Sequence, residues 1–452
     1  MMVLAKTRAT TQSFYIDYES DEIIESLVED EIIGYDSQRA QYFISHDIFE
    51  ELSLRRWIDI TFNRMKDDFE ASRFFSTIGD ALALRRAFRL WLSDKLIVDD
   101  SDVRLIISCV SDANSSVPPF WVDEIITAII LSPYVSRFFE NNKEYLIKNS
   151  FELFQKLLFL LNISGVDYTP VSHKETKSTP VMIPVGDGWG CAINFIGDHK
   201  EILQLNPDLC LNTLIKWTSK TKEGETTKAA GRIALYMLKE SEDHWANWHS
   251  EELKIYTIIK NSAKTIVPEL NDLIQSQLEK SDGNSVHDSY YSFFEYIITD
   301  SLRAANIIQS CPMAALNICR RFWYANHRNN KPYYERDTLE FHYGVVDEYR
   351  YNYFPANAYN SPIWYALNSN PIETLKFVID FINQVSQNYK NNPWQNYRVE
   401  EVVLQFPTGQ TINQLYSQFF WNAYRGTSSP VMPYLIQSVL MALEKFLLQC
   451  GK

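Results

Sequence analysis

Residues 21–65 constrain the fold most strongly, because helix-like and strand-like hydrophobic patterns follow one another within a short stretch. Residues 21–31 place their apolar side chains on one face at spacings of one, three and four, which predicts a helix. Residues 32–44 form two short apolar segments around a polar turn, which is typical of a β-hairpin. A second helix is expected to open at Ser45 or His46. The order of helix, hairpin and helix predicts a winged-helix unit.

His46 lies at the expected junction between the hairpin and the second helix. Ser45 is the expected N-cap, and Asp47, Glu50 and Glu51 place negative charge in the first turn, where the helix dipole favours it. Backbone N–H groups point outward at a helix start, so an anion could be received there. A simpler interpretation also fits these residues: His46 only caps the helix or packs at the junction.

Composition favours a mostly helical protein with packed cores. Glycine accounts for 14 of 452 residues, or about 3%, against about 7% in an average protein. A hydrophobic content of 46%, with 14% aromatic residues, excludes general disorder. Beyond the winged-helix unit, amphipathic segments alternate with polar turns and show no strict repeat period. We therefore expect helical hairpins stacked in an irregular α-solenoid.

Charge excludes a nucleic-acid partner. The formal net charge is −14, and residues 21–31, which would have to enter a major groove, carry six acidic residues and no lysine or arginine. The sequence also has neither a signal-type apolar segment near residue 1 nor an apolar run long enough for a membrane span. The six cysteines form no Cys-x-x-Cys pair, as expected of buried thiols in a reducing compartment. These features predict a soluble cytoplasmic protein without a membrane partner.

Motifs for catalysis and metal binding are missing from the sequence. There is no Gly-x-x-x-x-Gly-Lys-Ser/Thr, no Gly-x-Ser-x-Gly and no His-Glu-x-x-His. The glycines of residues 183–190 lack the following Lys-Ser/Thr, and we expect a turn that delivers Trp189 to a seam between helices. His244 and His249 are five residues apart and do not share a helix face, so zinc binding is not expected. We predict no catalytic residue and no metal site, and hence no enzyme activity for the chain by itself.

Three segments resemble one protein family. Ile44-Ser-His-Asp-Ile48 is similar to the His-Asp signature of the STAND class of signal-transducing NTPases. Residues 78–92, Ile-Gly-Asp-Ala-Leu-Ala-Leu-Arg-Arg-Ala-Phe-Arg-Leu-Trp-Leu, resemble the segment after the winged helix in large bacterial antiviral STAND proteins. Tyr424-Arg-Gly426, followed by residues 438–444, Ser-Val-Leu-Met-Ala-Leu-Glu, looks like the same family. The resemblance extends over residues 20–448.

The resemblance implies a role for His46 and for the whole chain. In that family the histidine contacts the β-phosphate of ADP held by a separate P-loop domain, and Asp47 would orient the turn. The chain itself would hold no cofactor, and ATP or ADP would belong to the missing P-loop domain of the same or a neighbouring polypeptide. A phage or other foreign protein would bind the helical array, with homo-oligomerisation on activation. The sequence would then be a fragment, a split gene or a piece of a longer protein.

The expected organisation has three parts, and the function has alternatives. Residues 1–66 are assigned to the winged-helix unit and its linking helix, residues 67–170 to a helical bundle or first repeats, and residues 171–452 to a sensor-type helical-repeat region. The leading hypothesis is a non-catalytic regulatory and sensor part of an antiphage STAND NTPase. A freestanding α-solenoid adaptor for protein–protein interaction is the alternative. A third is an enzyme site assembled from Tyr, His and Glu within residues 322–359.

Three arginines on one predicted helix have two interpretations. Arg85, Arg86 and Arg89 cluster opposite the apolar stripe of residues 82–92. They could contact a nucleotide or an acidic partner. They also fit a solvated helix face with ion pairs, which is the commoner use of such a run.

Overall fold

The computed structural model describes residues 1–98, 100–110, 117–169, 181–248, 251–280, 288–323, 361–390, 399–405, 409–417 and 434–450. Over these residues the chain is mostly helical, with short antiparallel two-stranded sheets. This confirms the helical class expected from scarce glycine and amphipathic periodicity. Contacts divide the chain into two compact units, Met1–Lys220 and Thr221–Lys452.

In its described residues the first unit consists of helices and two pairs of antiparallel strands. Its helices are α1 (Met2–Thr11), α2 (Glu22–Glu29), α3 (Asp47–Met65), α4 (Ala71–Ile78), α5 (Leu82–Val98), α6 (Ser101–Val110), α7 (Pro119–Leu131), α8 (Val135–Asn141), α9 (Lys143–Ser164), α10 (Gly188–Asp198), α11 (Glu201–Leu205) and α12 (Pro207–Lys220). Strand β1 (Ile33–Asp36) pairs with β2 (Gln41–Ile44), and β3 (Val166–Thr169) pairs with β4 (Val181–Pro184).

The order α2, β1, β2, α3 is the helix–hairpin–helix succession expected from the hydrophobic pattern. Asp21 caps α2 by accepting from the Ile24 backbone N–H at 2.8 Å. Gly34 stands opposite Phe43 in the hairpin register, and a Cβ at this position would overlap the Phe43 ring, so a side chain there would displace it. Ile16 extends the pairing by exchanging two backbone hydrogen bonds with Tyr42, at 2.8 and 3.0 Å. Strand β2 is therefore hydrogen-bonded on both edges, to β1 and to Ile16, before α3 begins.

Alternate helices form the core of the first unit. Helix α1 contacts α3, α3 contacts α5, α5 contacts α7, α7 contacts α9 and α9 contacts α12, while α4 contacts both α3 and α6. The middle of this series is aromatic: Trp121 of α7 stacks on Phe75 at 4.6 Å and meets Phe88 edge-on at 5.2 Å. Such aromatic pairs add about 0.5–1.5 kcal/mol beyond the burial of their area. The long helices thus follow one another in a row.

A network of charged side chains ties α3, α5 and α6 together. Lys95 Nζ lies 3.0 Å from Asp59 Oδ1 and 3.1 Å from Asp102 Oδ2, and Trp91 Nε1 donates to Asp59 Oδ1 at 3.2 Å. Burial acts against ionisation, but the hydrogen bonds from Trp91 and Lys95 outweigh it and lower the pKa of Asp59. Burial likewise disfavours the Lys95 ammonium, yet its hydrogen bonds to the two carboxylates raise its pKa. Both charged forms are stabilised by the fold.

Two short strands precede Trp189 in the sequence. Strands β3 and β4 pair with Val166 opposite Pro184, while residues 170–180 lie outside the described part of the chain. Trp189 is fully buried in the first turn of α10, where its Nε1 donates to the Gly165 carbonyl at 2.7 Å. Its ring stacks on Trp217 of α12 at 6.2 Å. The expectation that this turn delivers Trp189 to a seam between helices is confirmed.

Helix α9 contains a left-handed turn within its length. Asn149, Ser150 and Phe151 have φ values of 50°, 57° and 64°. Residues with a Cβ are disfavoured there by about 1–2 kcal/mol each. Gln155 Nε2 donates to the Ser150 carbonyl at 3.0 Å, and Phe151 is buried beside Phe195, so side-chain contacts hold the turn in place.

The described part of the second unit also consists of helices and a pair of antiparallel strands. Its helices are α13 (Glu225–Trp248), α14 (Glu252–Ser262), α15 (Val267–Lys280), α16 (Asp288–Thr299), α17 (Ala305–Ser310), α18 (Pro312–Trp323), α19 (Pro362–Ser369), α20 (Pro371–Lys390) and α21 (Tyr434–Cys450), and strand β5 (Val399–Gln405) pairs with β6 (Thr411–Ser417). Helix α13 contacts α14 and α16, and α19 contacts α17, α18, α20 and α21. Gly231 permits the first of these contacts, because a Cβ there would lie 2.5 Å from Ser262 Oγ.

Two helices are shorter than the hydrophobic pattern suggests. Residues 253–278 read as one helix, but the structure has α14 and α15 with a 3-10 turn at Ala263–Thr265 between them. Pro268 explains the break, since proline has no N–H to donate and its ring clashes with the preceding turn. Residues 290–308 are likewise divided into α16 and α17, and buried Ser301 donates its hydroxyl to the Ile297 carbonyl at the end of α16. In the part of the chain that the structure describes, no helix is both long and apolar enough to cross a membrane.

Candidate functional site

His46 is the N-cap residue of α3, at the point where strand β2 ends. Its backbone is extended (φ −137°, ψ 137°), its side chain is exposed and makes no capping hydrogen bond, and its ring lies 5.9 Å from that of Phe49. The expectation that Ser45 is the N-cap is wrong by one residue. Ser45 still belongs to the hairpin, because its N–H donates to the Ile32 carbonyl at 3.1 Å. His46 is thus presented to solvent at a helix start.

Asp47 is held by an arginine from the first helix of the chain. Arg8 Nη2 donates to Asp47 Oδ1 at 3.2 Å, and Arg8 Nη1 lies 3.4 Å from Glu50 Oε2. The Arg8 side chain is 17% exposed, whereas that of Asp47 is 88% exposed. Arg8 therefore reaches from α1 beneath the first turn of α3 and leaves Asp47 at the surface beside His46.

The two acidic residues of the first turn occupy different environments. Burial raises the pKa of the Glu50 carboxyl, the Arg8 guanidinium opposes this, and the nearby Asp47 carboxylate adds to it. Negative charge at this position also complements the positive end of the α3 dipole. The turn next to His46 therefore combines one exposed carboxylate with one half-buried carboxylate on the same arginine.

A cleft of about 590 Å³ opens beside this turn. Helices α1, α3 and α5 line it with Arg8, Asp47, Ile48, Glu50, Glu51, Leu54, Leu82, Ala83 and Arg86. Arg86 Nη2 of α5 lies 3.2 Å from Glu51 Oε2 of α3, so a second ion pair closes the side facing α5. Asp47 is the only one of the two sequence-predicted site residues in this lining.

The three arginines of α5 all have neighbours. Arg85 Nε donates to the Asp80 carbonyl at 2.7 Å, and its guanidinium lies 4.3 Å from the centre of the Phe120 ring. Arg86 pairs with Glu51, and Arg89 Nε lies 3.1 Å from Glu124 Oε2 of α7. These contacts fit the interpretation as a partly exposed helix face with ion pairs, here to carboxylates of neighbouring helices.

Three cysteine thiols outside this site are buried. Burial raises the pKa of Cys210 and of Cys311 to about 12, and raises that of Cys319 as well. In the described residues, no group of three or more His, Cys, Asp or Glu side chains could hold a metal ion. Residue 249 and residues 324–360 lie outside the described part of the chain, so the spacing argument against zinc and the enzyme alternative stay as predictions.

The sequence does not indicate the role of Arg8 or the presence of the cleft. Helix α1 carries Leu4, Ala5 and Ala9 as its buried residues, a short stripe that small residues make hard to see. Arg8 lies 39 residues before Asp47, a separation that periodicity cannot bridge. In the sequence, only the acidic first turn of α3 indicates a nearby cation, and it does not show which residue supplies it.

No protein-family model matches the sequence, and no curated protein is significantly similar to it. The fold and the site therefore define a class in structural terms. The chain is a mostly helical protein in which an N-terminal hairpin leads into a helix with an exposed histidine at its start.

Proposed function

We propose that this chain is the non-catalytic regulatory and sensor part of an antiphage STAND NTPase, with its N-terminal region acting as a winged-helix lid on a separate P-loop domain. The observation that carries the proposal is the exposed His46 at the N-cap of α3, directly after the β1–β2 hairpin. Its segment is the one that resembles the His-Asp signature of that class. The sequence has no P-loop motif, which supports assigning nucleotide hydrolysis to a separate domain.

His46 has the chemistry that this role requires. Its imidazole makes no capping hydrogen bond in the fold, so an N–H donor can be directed to a phosphate oxygen of ADP. The positive end of the α3 dipole acts in the same direction. A hydrogen bond to a charged group contributes about 1.5–3 kcal/mol. Asp47, held by Arg8 at 3.2 Å, would fix the turn that carries the histidine.

The helical-repeat region would supply the sensor. Residues 171–452, assigned from the sequence to this region, are mostly helical where the structure describes them, and helical repeats are a common scaffold for binding surfaces. A foreign protein can shift the lid only if it binds the open and closed states with different affinities. We propose that it binds the open state more tightly, withdraws His46 from the nucleotide and permits oligomerisation.

The experiment measures ADP release from the assembled switch. The chain is co-expressed with the P-loop NTPase domain encoded in the same gene or a neighbouring reading frame, and release of a fluorescent ADP analogue is followed after adding excess ADP. His46→Ala should accelerate release by about 10- to 100-fold, as expected for losing one charge-assisted hydrogen bond. Gln38→Ala, an exposed polar residue in the turn at the far end of the same hairpin, is the matched control. Equal release rates for the two variants would refute the nucleotide role.

A freestanding α-solenoid adaptor is the second candidate. The row of alternating helices supports it as well, because a helical array needs no nucleotide to bind a protein. The two candidates differ in their genetic neighbourhood and in their partner. A P-loop reading frame whose product co-purifies with the chain favours the regulatory part, and a stable complex formed without any NTPase favours the adaptor.

A further inference from the structure

The cleft between α1, α3 and α5 has properties that the nucleotide role does not use. Its floor is apolar, with Leu54 buried and Ala83 beside it. Its rim presents two large apolar side chains to solvent, Ile48 at 53% exposure and Leu82 at 74%. Leu82 is the first residue of α5 and lies mostly outside the helix core. The apolar rim of a concave surface is a feature of binding sites.

The charges in the cleft are acidic in balance. Three carboxylates, Asp47, Glu50 and Glu51, face two guanidinium groups, Arg8 and Arg86. The ion pairs engage Asp47 Oδ1, Glu50 Oε2 and Glu51 Oε2. A carboxylate has about four acceptor positions, so acceptor capacity remains for a further cation. The formal net charge of −14 on the whole chain reinforces this preference.

We infer that this cleft binds an amphipathic peptide segment of a partner protein, one that places a lysine or arginine beside leucine-like side chains. The apolar side chains would contact Leu82, Ile48 and the Leu54 floor, and the cation would approach Glu50 and Glu51. Arg8 shows the same mode of recognition within the chain, because its guanidinium already lies between Asp47 and Glu50. Charge complementarity of this kind favours partners whose charge is opposite to that of the cleft.

The charges argue against other macromolecules. A nucleic acid brings phosphates towards three carboxylates, and an anionic membrane surface would be repelled in the same way. An acidic peptide would have to rely on Arg8 and Arg86, both of which are already paired with carboxylates. A basic amphipathic segment is the occupant that satisfies both the apolar rim and the charges.

The test measures binding of two defined probes to the full chain by fluorescence anisotropy. One is a fluorescein-labelled amphipathic peptide of leucine and lysine, and the other has glutamate in place of lysine. We expect the lysine peptide to bind and the glutamate peptide not to bind. Leu82→Ser and Glu50→Gln should each weaken binding of the lysine peptide by about tenfold, which corresponds to 1.4 kcal/mol. Leu205→Ser and Glu144→Gln, at exposed positions on α11 and α9, should leave it unchanged.

One variant distinguishes a cationic ligand from an anionic one. Arg86→Ala removes a cation from the cleft and releases Glu51, so it should tighten binding of the lysine peptide several-fold. Arg303→Ala is the matched control, because its side chain is 72% exposed against 71% for Arg86 and also pairs with a single carboxylate. Circular dichroism of each variant confirms that it is folded before the comparison is made.

Three results would overturn the inference. Tight binding of the glutamate peptide would indicate an anionic ligand, and weaker binding of the lysine peptide to Arg86→Ala would show that Arg86 supports binding instead of opposing it. The third is an equal loss of affinity in the control variants, which would show that the peptide responds only to the overall negative charge. The ADP-release assay uses neither probe, so each proposal can fail without the other.

Discussion

The charge network centred on Lys95 allows a quantitative test of how the first unit is held together. Lys95 bridges Asp59 of α3 and Asp102 of α6 at 3.0 and 3.1 Å, and the three side chains are 22%, 24% and 11% exposed. Replacing Lys95 by methionine keeps the aliphatic stem and removes the cation. Breaking a buried ion pair costs about 3–5 kcal/mol, and an exposed one at most about 1 kcal/mol.

The loss of stability expected for Lys95→Met lies between these limits, because the ion pairs are only partly buried and both carboxylates keep another partner. Asp102 retains Lys66 Nζ at 2.5 Å, and Asp59 retains the indole N–H of Trp91 at 3.2 Å. We therefore expect Lys95→Met to lower the free energy of unfolding by about 2–3 kcal/mol. Urea denaturation followed by circular dichroism measures this change.

The control and the second variant determine what the measurement means. Lys156→Met removes an ion pair of 2.8 Å between α9 and α7, where the side chains are 34% and 46% exposed, and should cost less than about 1 kcal/mol. Combining Lys95→Met with Asp59→Asn should recover part of the loss, because one uncompensated carboxylate is removed. Equal losses for the Lys95 and Lys156 variants, or no recovery in the combination, would refute the assigned role.

The pH dependence has a defined sign for both partners. Asp59 has a lowered pKa, so its contribution is present above the unfolded value of about 3.9 and is lost as the pH falls through the folded pKa. Lys95 has a raised pKa, so its contribution is present below the unfolded value of about 10.4 and is lost as the pH rises through the folded pKa. Lys95→Met should therefore flatten the stability profile at alkaline pH.

Three further predictions concern other parts of the first unit. Gly188→Ala should destabilise the protein by about 1–3 kcal/mol in urea denaturation, because its Cβ would lie 2.7 Å from the Ile130 carbonyl oxygen. Ser150→Gly should stabilise it by about 0.5–1 kcal/mol, since glycine adopts φ 57° without the cost of a Cβ. Burial and the Lys143 ammonium lower the pKa of His199, so its contribution is present above the unfolded value of about 6.5 and lost as the pH falls through the folded pKa. His199→Gln should reduce that loss in pH-dependent thermal denaturation.

Each of these predictions has a contrary result. A neutral Gly188→Ala variant would mean that α10 can move away from α7 without cost. A destabilised Ser150→Gly variant would mean that the serine hydroxyl contributes more than the backbone conformation costs. An unchanged acid profile in His199→Gln would assign the loss of stability to other groups.

Local hydrophobic patterns predict the elements whose structure depends on residues close together in the sequence. The helix–hairpin–helix order of residues 21–65 follows from a change of hydrophobic period, and the burial of Trp189 follows from a glycine-rich turn before an apolar helix. The same pattern predicts one helix where the structure has α14 and α15, because periodicity continues through residues 263–267 although Pro268 ends the run of backbone donors.

The site could be predicted only in part. The hydrophobic pattern correctly predicts His46 at a strand-to-helix junction, but it predicts Ser45 as the N-cap, whose N–H donates to the Ile32 carbonyl of the hairpin at 3.1 Å. The contact of Arg8 with Asp47 spans 39 residues of sequence, and tertiary packing alone brings them together. The nucleotide contact, the sensor role and the division at residues 66 and 170 stay predictions.

The row of long helices in the first unit has a mechanical consequence. Helix α1 touches α3, and the series continues through α5, α7 and α9 to α12, so a force applied at Met1 would be transmitted from one helix to the next. Under pulling in an optical trap, such an array should yield in several small steps as successive helices peel away. The first unit would then lose its packing gradually, one helix at a time, when a partner pulls on one end of it.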